Sequence, residues 1–402
     1  MKLASQEARP SLRLHGLDTL RALAILVVML YHLAYRMPES LAPIAALGWT
    51  GVDLFFVLSG FLIGSQLLKP YITGDKPSLA DFYRRRAFRI LPAYFVVLAL
   101  YFAFPAWREA PLTAPWWQYP TFTWNLFVDF PVHRAFSHVW SLCVEEHFYL
   151  ILPLLVLWLM RKPSLAKTAA LLTAVVAFGI AIRSFELFHV ILPNGIAAET
   201  ERSGALFMER IYYPTWSRLD GLLVGVMLAL IRCFRPAWWT RLTTHGNTLL
   251  ALGLAVTGVA FRLFHWDYPS LENAPAILFG FPLLSLGLGL LVAAAVSENG
   301  PLRHRVPGAK LLATLAFSLY LTHKEIAHLD ADVFSHALHF DPDSRSWFAA
   351  AIYALTCVAA ATLLHACVER PFLLLRDHFD AKQHRPTPTE SIDEELRTEP
   401  AL

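Results

Sequence analysis

The stretch Leu17-Asp18-Thr19-Leu20-Arg21-Ala22-Leu23-Ala24-Ile25-Leu26-Val27-Val28-Met29-Leu30-Tyr31-His32-Leu33 is apolar enough to lie in a membrane, yet it carries an arginine and a histidine. Arg21 and His32 stand eleven positions apart. At 3.6 residues per turn that is about three full turns, so both face the same way with a rise of about 16 Å between them. Ionisable groups at such depth are costly and ordinarily face a pathway or a partner. Arg21 reads either as a side chain snorkelling to headgroups or as a site residue. His32 reads either as one interhelical hydrogen bond or as chemistry.

The rest of the chain repeats this pattern of apolar runs. It has 402 residues, of which 56% are hydrophobic and only 16% charged, with a mean hydropathy of +0.46. Soluble domains carry roughly 25% charged residues. The excess falls in runs near 17–35, 47–68, 88–104, 138–160, 168–188, 216–232, 247–265, 275–297, 309–326 and 347–368. These are helix-spanning lengths, and they lack the alternation of barrel strands. The expected fold is all-α, a polytopic membrane bundle of about ten transmembrane helices occupying 1–376. Residues 377–402 turn polar, with Pro386, Pro388, Glu394 and Glu395, and read as a disordered tail. Lys2, Arg9 and Arg13 precede the first run, which is too long for a signal core and reads as a retained helix.

Lysines and arginines set the orientation. They concentrate at the N-terminus and in alternate loops: Lys69, Lys76, Arg84, Arg85, Arg86 and Arg89; Arg161, Lys162 and Lys167; Arg232, Arg235 and Arg241; Arg303, Arg305 and Lys310. The positive-inside rule puts these segments, and both termini, in the cytoplasm. With a net charge of only +3, they speak about topology and not about nucleic acid. Four scattered cysteines show neither zinc nor redox spacing, so no metal is expected.

Further polar groups interrupt the apolar runs. Arg86 and Arg89 share a helical face and suit either a topology signal or bidentate phosphate contacts. Glu145 and Tyr149 lie at i, i+4 on one face, with Glu146 pointing elsewhere. Arg218 and Asp220 read as an ion pair beside close-packing glycines, and His323 ends a span. Glu369-Arg370-Pro371 reads as an ion pair and a helix stop. The loop with Trp116, Trp117, Tyr119, Phe122 and Trp124 suits an interfacial belt or a sugar platform.

Taken in order, these segments resemble the acyltransferase-3 family of bacterial membrane O-acyltransferases. The likeness is carried by Arg21 with His32; by Gly51-Val52-Asp53-Leu54-Phe55-Phe56-Val57-Leu58-Ser59-Gly60-Phe61; and by Arg86 with Arg89. Trp140-Ser141-Leu142 with Glu145-Glu146 and Phe148-Tyr149, Asp220-Gly221 and Leu321-Thr322-His323 complete it. Cys143 and His147 depart from the usual pattern, where a small polar residue and Gln are common. Some relatives carry an appended SGNH-hydrolase domain, which this chain is expected to lack.

The resemblance implies transfer of an acyl group, acetyl by default, from cytoplasmic acyl-CoA to a carbohydrate hydroxyl across a bacterial inner membrane. Acyl-CoA is then a co-substrate, with no tightly bound cofactor. The partners are a carbohydrate or glycoconjugate acceptor and the lipid bilayer. His32 would serve as general base or acyl relay, with Arg21 and Glu145 completing the catalytic set and Glu145 orienting the imidazole. Arg86 and Arg89 would hold the donor phosphates, and Ser59, Glu146, Tyr149, Asp220 and His323 would support the acceptor side. A thioester path would run between the first, second and fourth spans, past the small residues Gly51, Ser59, Gly60 and Gly64. The competing class is a proton-coupled transporter using the same ionisable residues as a relay.

Overall fold

The computed structural model describes residues 15–110, 114–195, 201–337, 339, 341 and 345–383. Lys2, Arg9, Arg13 and the polar segment from 384 onward lie outside the described residues. Eleven principal helices follow one another: α1 (His15–His32), α2 (Thr50–Ile72), α3 (Leu79–Ala103), α4 (Trp140–Arg161), α5 (Leu165–Phe185), α6 (Asp220–Phe234), α7 (Gly246–Leu263), α8 (Phe281–Ala295), α9 (Ala309–Asp332), α10 (Trp347–Leu364) and α11 (Arg370–Gln383). No strand occurs among the described residues.

The fold is thus all-α, and a helix stands at each of the ten apolar runs. Seven described helices are long and apolar enough to cross a membrane. An eighth candidate is α6 joined to the short helix Pro236–Thr243 at a bend of 114°. The helices α1 and α9 fall outside that set because of the side chains that give them interest. α1 carries His15, Asp18, Arg21 and His32; α9 carries Lys310, His323, Lys324, Glu325 and three further acidic or histidine residues. Both are largely buried, so neighbouring helices and not lipid solvate their polar groups. The periphery is the reverse: Leu254, Leu355 and Leu363 are each more than half exposed, as lipid-facing side chains are. This is a multi-pass membrane protein.

Close backbone approach holds the centre. In α2, a Cβ on Gly60 would collide with the Leu222 carbonyl of α6; in α6, one on Gly225 would collide with the Val57 carbonyl of α2. With no hydrophobic drive between helices in lipid, such small-residue contacts supply dispersion instead. Beside them lies a buried ion network. Arg218 donates to both carboxylate oxygens of Asp53 at 2.9 and 3.0 Å. Arg183, at the end of α5, donates to Asp220 and to the Ser217 carbonyl, each at 2.7 Å. The expected Arg218–Asp220 pair is therefore corrected: each takes a partner on another helix, Arg218 from the turn that precedes α6 and Asp220 from its first residue. Asp220 takes part in this network through Arg183.

Glu369-Arg370-Pro371 is corrected as well. A single π turn, His365–Glu369, passes directly into α11, and Pro371 sits in the first turn, where its missing N–H costs nothing. Helix α11 runs to Gln383, past the expected start of the tail at 377. It lies along α3: Asp380 bonds both Arg84 and Arg85, and Phe88 stacks with Phe379 at 5.9 Å.

Replacing Asp53 by Ala leaves a fully buried guanidinium without its carboxylate, a loss of about 3–5 kcal/mol for such pairs. Thermal unfolding in detergent should show a clear fall in Tm. The double variant Asp53→Leu with Arg218→Met should regain most of it, and equal Tm values for Asp53→Ala and the parent would overturn the role.

Candidate active site

Two cavities meet in the middle of the bundle. The larger, about 180 Å³, is lined by Arg21 of α1, Ser59 of α2, Arg86 and Arg89 of α3, Glu145 and Tyr149 of α4 and Tyr320 of α9. The smaller, about 50 Å³, is lined by Tyr31 and His32 at the far end of α1, with His138, Trp140, Tyr212 and Tyr213. Val52 and Tyr320 line both. One helix, α1, therefore presents Arg21 to the first space and His32 to the second.

In the arginine cavity, Ser59 donates to Glu145 Oε1 at 2.8 Å, and the Tyr149 hydroxyl lies 2.9 Å from both Glu145 Oε2 and Ser59 Oγ. The Arg86 guanidinium stands over the Tyr149 ring, 5.1 Å from its centroid. Arg86 makes no ion pair among the described residues, and its Nε has no hydrogen-bond partner there. Arg89 is different: it bonds Glu369 at 2.5 Å, and Glu369 also accepts from Ser318 and meets His365, each at 2.9 Å. Arg86 and Arg89 share the face the sequence gave them, but only Arg86 offers an unpaired guanidinium. Glu146 points away from this cavity, and its Oε1 has no partner among the described residues.

In the smaller chamber the hydrogen bonds fix a tautomer. His323 Nδ1 lies 3.0 Å from the carbonyls of both Leu319 and Tyr320, so it must carry the proton and donate. Its Nε2 is then an acceptor, and the atom 2.9 Å away, His32 Nδ1, must donate to it. In this neutral pair His32 Nε2 keeps its lone pair. The expected partner of His32 is thus corrected. His323 orients the imidazole, whereas Glu145 is engaged with Ser59 and Tyr149 in the other cavity. The arginine cavity is lined by α3 and α9 as well as by the first, second and fourth spans.

Two participants, His138 and Tyr320, were not singled out from sequence, and Glu369 was read only as an ion-pair residue at a helix stop. His138 lines the smaller chamber, stacked edge-on with Tyr320 and His323. Tyr320 donates to the His138 carbonyl at 2.7 Å and lies 2.5 Å from Ser141 Oγ. Glu369 neutralises Arg89. Of His138 and Tyr320, only His138 gave a signal, as a histidine at the mouth of an apolar run.

The aromatic loop divides. Tyr119, Phe122 and Trp124 are buried as core, while Trp116 and Trp117 stay exposed, so the five do not form one platform. The loop is pinned to α9 by Glu109, which pairs with Lys324 at 2.8 Å and accepts from Tyr101. Burial pushes the Glu109 carboxyl up, but the Lys324 ammonium and the hydrogen bonds from Lys324 and Tyr101 outweigh it and hold it below the usual range. Among the described residues, no cluster of three or more His, Cys, Asp or Glu side chains has the placement to hold a metal ion.

Together these features define a helical membrane protein with an arginine-lined cavity and a histidine-lined chamber in contact through its core. A family model described as an acyltransferase domain matches residues 14–366, and the chain belongs to that family, acyltransferase-3. It is 30% identical over 332 residues to the O-acetyltransferase OatA of Staphylococcus aureus, covering 78% of this chain and 50% of that one. It is 28% identical over 343 residues to the putative peptidoglycan O-acetyltransferase YrhL of Bacillus subtilis (79% and 49%). It is 27% identical over 339 residues to the peptidoglycan O-acetyltransferase OatA of Listeria monocytogenes (79% and 50%). The chain spans about half the length of these relatives. No solved structure matches it.

Nitrogen-15 labelling of histidine should find both His32 and His323 protonated at Nδ1 in the neutral, resting protein. A His32 protonated at Nε2 would reverse the direction of the pair.

Proposed function

We propose that this protein transfers an acyl group, acetyl by default, from acyl-CoA bound at the arginine cavity to a carbohydrate hydroxyl that enters the histidine chamber. The observation that carries this reading is the His32–His323 pair, which leaves one basic imidazole nitrogen beside a space that adjoins a cationic cavity at Val52 and Tyr320. Arg86 would grip a donor phosphate as a fork, with Arg89 assisting if Glu369 releases part of its hold. Arg21 would lie along the arm and draw it toward α1. The extended pantetheine arm matches the rise of about 16 Å from Arg21 to His32.

His32 Nε2 takes the proton of the acceptor hydroxyl as its oxygen attacks the thioester carbonyl. A tetrahedral intermediate forms; the carbon–sulfur bond then breaks, and the imidazolium returns the proton to the departing thiolate. Ester and free thiol result, with no other reactant. His323 would stabilise the imidazolium by keeping its acceptor nitrogen against His32 Nδ1–H. Glu145, held by two hydroxyls near Arg86, would balance charge around the donor and not around the base.

The lysine and arginine distribution supports a cytoplasmic arginine cavity, an outward histidine chamber and cytoplasmic termini in a bacterial inner membrane. Two relatives have peptidoglycan in their names, which makes a cell-wall glycan the first acceptor to try.

The test uses vesicles of one known orientation, with acetyl-CoA confined to the Arg86 side and an impermeant glycan oligomer to the other. Ester should form on the glycan side. His32→Ala should lower the rate by at least about a hundredfold in folded protein, the usual range for a lost general base. Arg86→Ala should weaken acetyl-CoA binding about tenfold to a hundredfold, as for a lost charge-assisted contact. Product only when both substrates share one side would overturn the transmembrane path.

A further inference from the structure

The two cavities differ nearly fourfold in volume and touch along one short collar. Among the described residues, only Val52 of α2 and Tyr320 of α9 line both spaces. Val52 is 5% exposed and Tyr320 6% exposed, so both side chains at the collar are packed within the bundle. Tyr320 is latched at its tip. Its O–H donates to the His138 carbonyl at 2.7 Å, and Ser141, which also lines the arginine cavity, donates to its oxygen at 2.5 Å. Trp140, which lines the smaller chamber, packs edge-on against Phe56 of the arginine cavity at 5.9 Å.

Resting on the acyltransferase reading, we infer that the Val52–Tyr320 collar, with the chamber of about 50 Å³ beyond it, selects the acyl group by length. An arm threading from the arginine cavity leads with the methyl end of its acyl group. For the thioester carbonyl to reach His32, everything beyond the carbonyl must already occupy the small chamber. An acetyl group places one methyl there. Each added methylene must find room against Val28, Trp49 and Met208, which wall that chamber. Close-packed interiors do not yield such space without strain. A longer acyl group therefore stops with its carbonyl on the arginine side, bound but out of reach of the base. Its affinity is retained while its turnover falls, because the phosphate contacts lie outside the collar.

Two substitutions open the collar by different means. Val52→Ala removes two methyl groups and joins the spaces. Tyr320→Phe keeps the ring but deletes its hydroxyl, freeing it from Ser141 and the His138 carbonyl. The experiment measures kcat and KM for acetyl-, butyryl- and hexanoyl-CoA with a soluble glycan acceptor, and acyl-CoA Kd by equilibrium binding. In the parent protein kcat should fall steeply from acetyl to hexanoyl while Kd changes little. Val52→Ala should raise the hexanoyl-to-acetyl ratio of kcat at least tenfold, with Kd unchanged. Tyr320→Phe should move it the same way by a smaller factor, and it carries the test if Val52→Ala does not accumulate folded in the membrane. A parent ratio near one, or ratios unchanged in both variants, overturns the collar's role while leaving the acyltransferase reading intact. No transfer from any acyl-CoA by the folded parent overturns both.

Discussion

A guanidinium inside a hydrocarbon layer has to bring its own solvent, and the Arg218–Asp53 clasp shows how much architecture that demand sets. Asp53 opens α2, and Arg218 precedes α6, 165 positions later. The aromatic rings of Tyr212 and Phe281 stand over the guanidinium at 4.5 and 4.0 Å, so four segments converge on one cation. Arg183 and Asp220 extend the same logic to α5. Breaking such a pair strands a charge where no water can reach it, so the helices that carry the partners are held in register. The close α2–α6 backbone approach at Gly60 and Gly225 is possible only in that register.

Beyond that clasp, two further sets of polar groups line the two cavities. Asp380 occupies Arg84 and Arg85, and Glu369 occupies Arg89, whereas Arg86 faces a ring and an open space. The paired histidines stand at the other end of α1. A cationic pocket and a basic nitrogen thereby stand about three helical turns apart along α1, in cavities that share Val52 and Tyr320 as lining. This arrangement suits a donor with anionic phosphates and a remote reactive carbon.

The helices were legible because lipid demands long apolar runs, and a helix stands at each run. Boundaries erred where a helix leaves the apolar layer. The third span was read from 88, but α3 begins at Leu79, where Ser78 caps it by accepting from the Asp81 N–H. The polar residues that line the cavities were legible for a related reason: Arg21, His32, Arg86 and Glu145 are conspicuous in apolar surroundings. Their pairings were not. Glu145 meets Ser59 across 86 positions and His32 meets His323 across 291, and no local period encodes either. Val52 and Tyr320 are ordinary membrane-helix residues by type; only their position between two voids distinguishes them.

The two voids also bear on how much the protein has to move. A transporter exposes one site first to one face and then to the other, so its halves must rock. In the proposed reaction the cargo is attached to a flexible tether, and the collar need open only to the width of that tether. Most of the bundle can stay rigid, with its ion clasps intact throughout the cycle. The work of crossing then falls on a swinging arm and one tyrosine ring, and the membrane need never be breached by an aqueous pore.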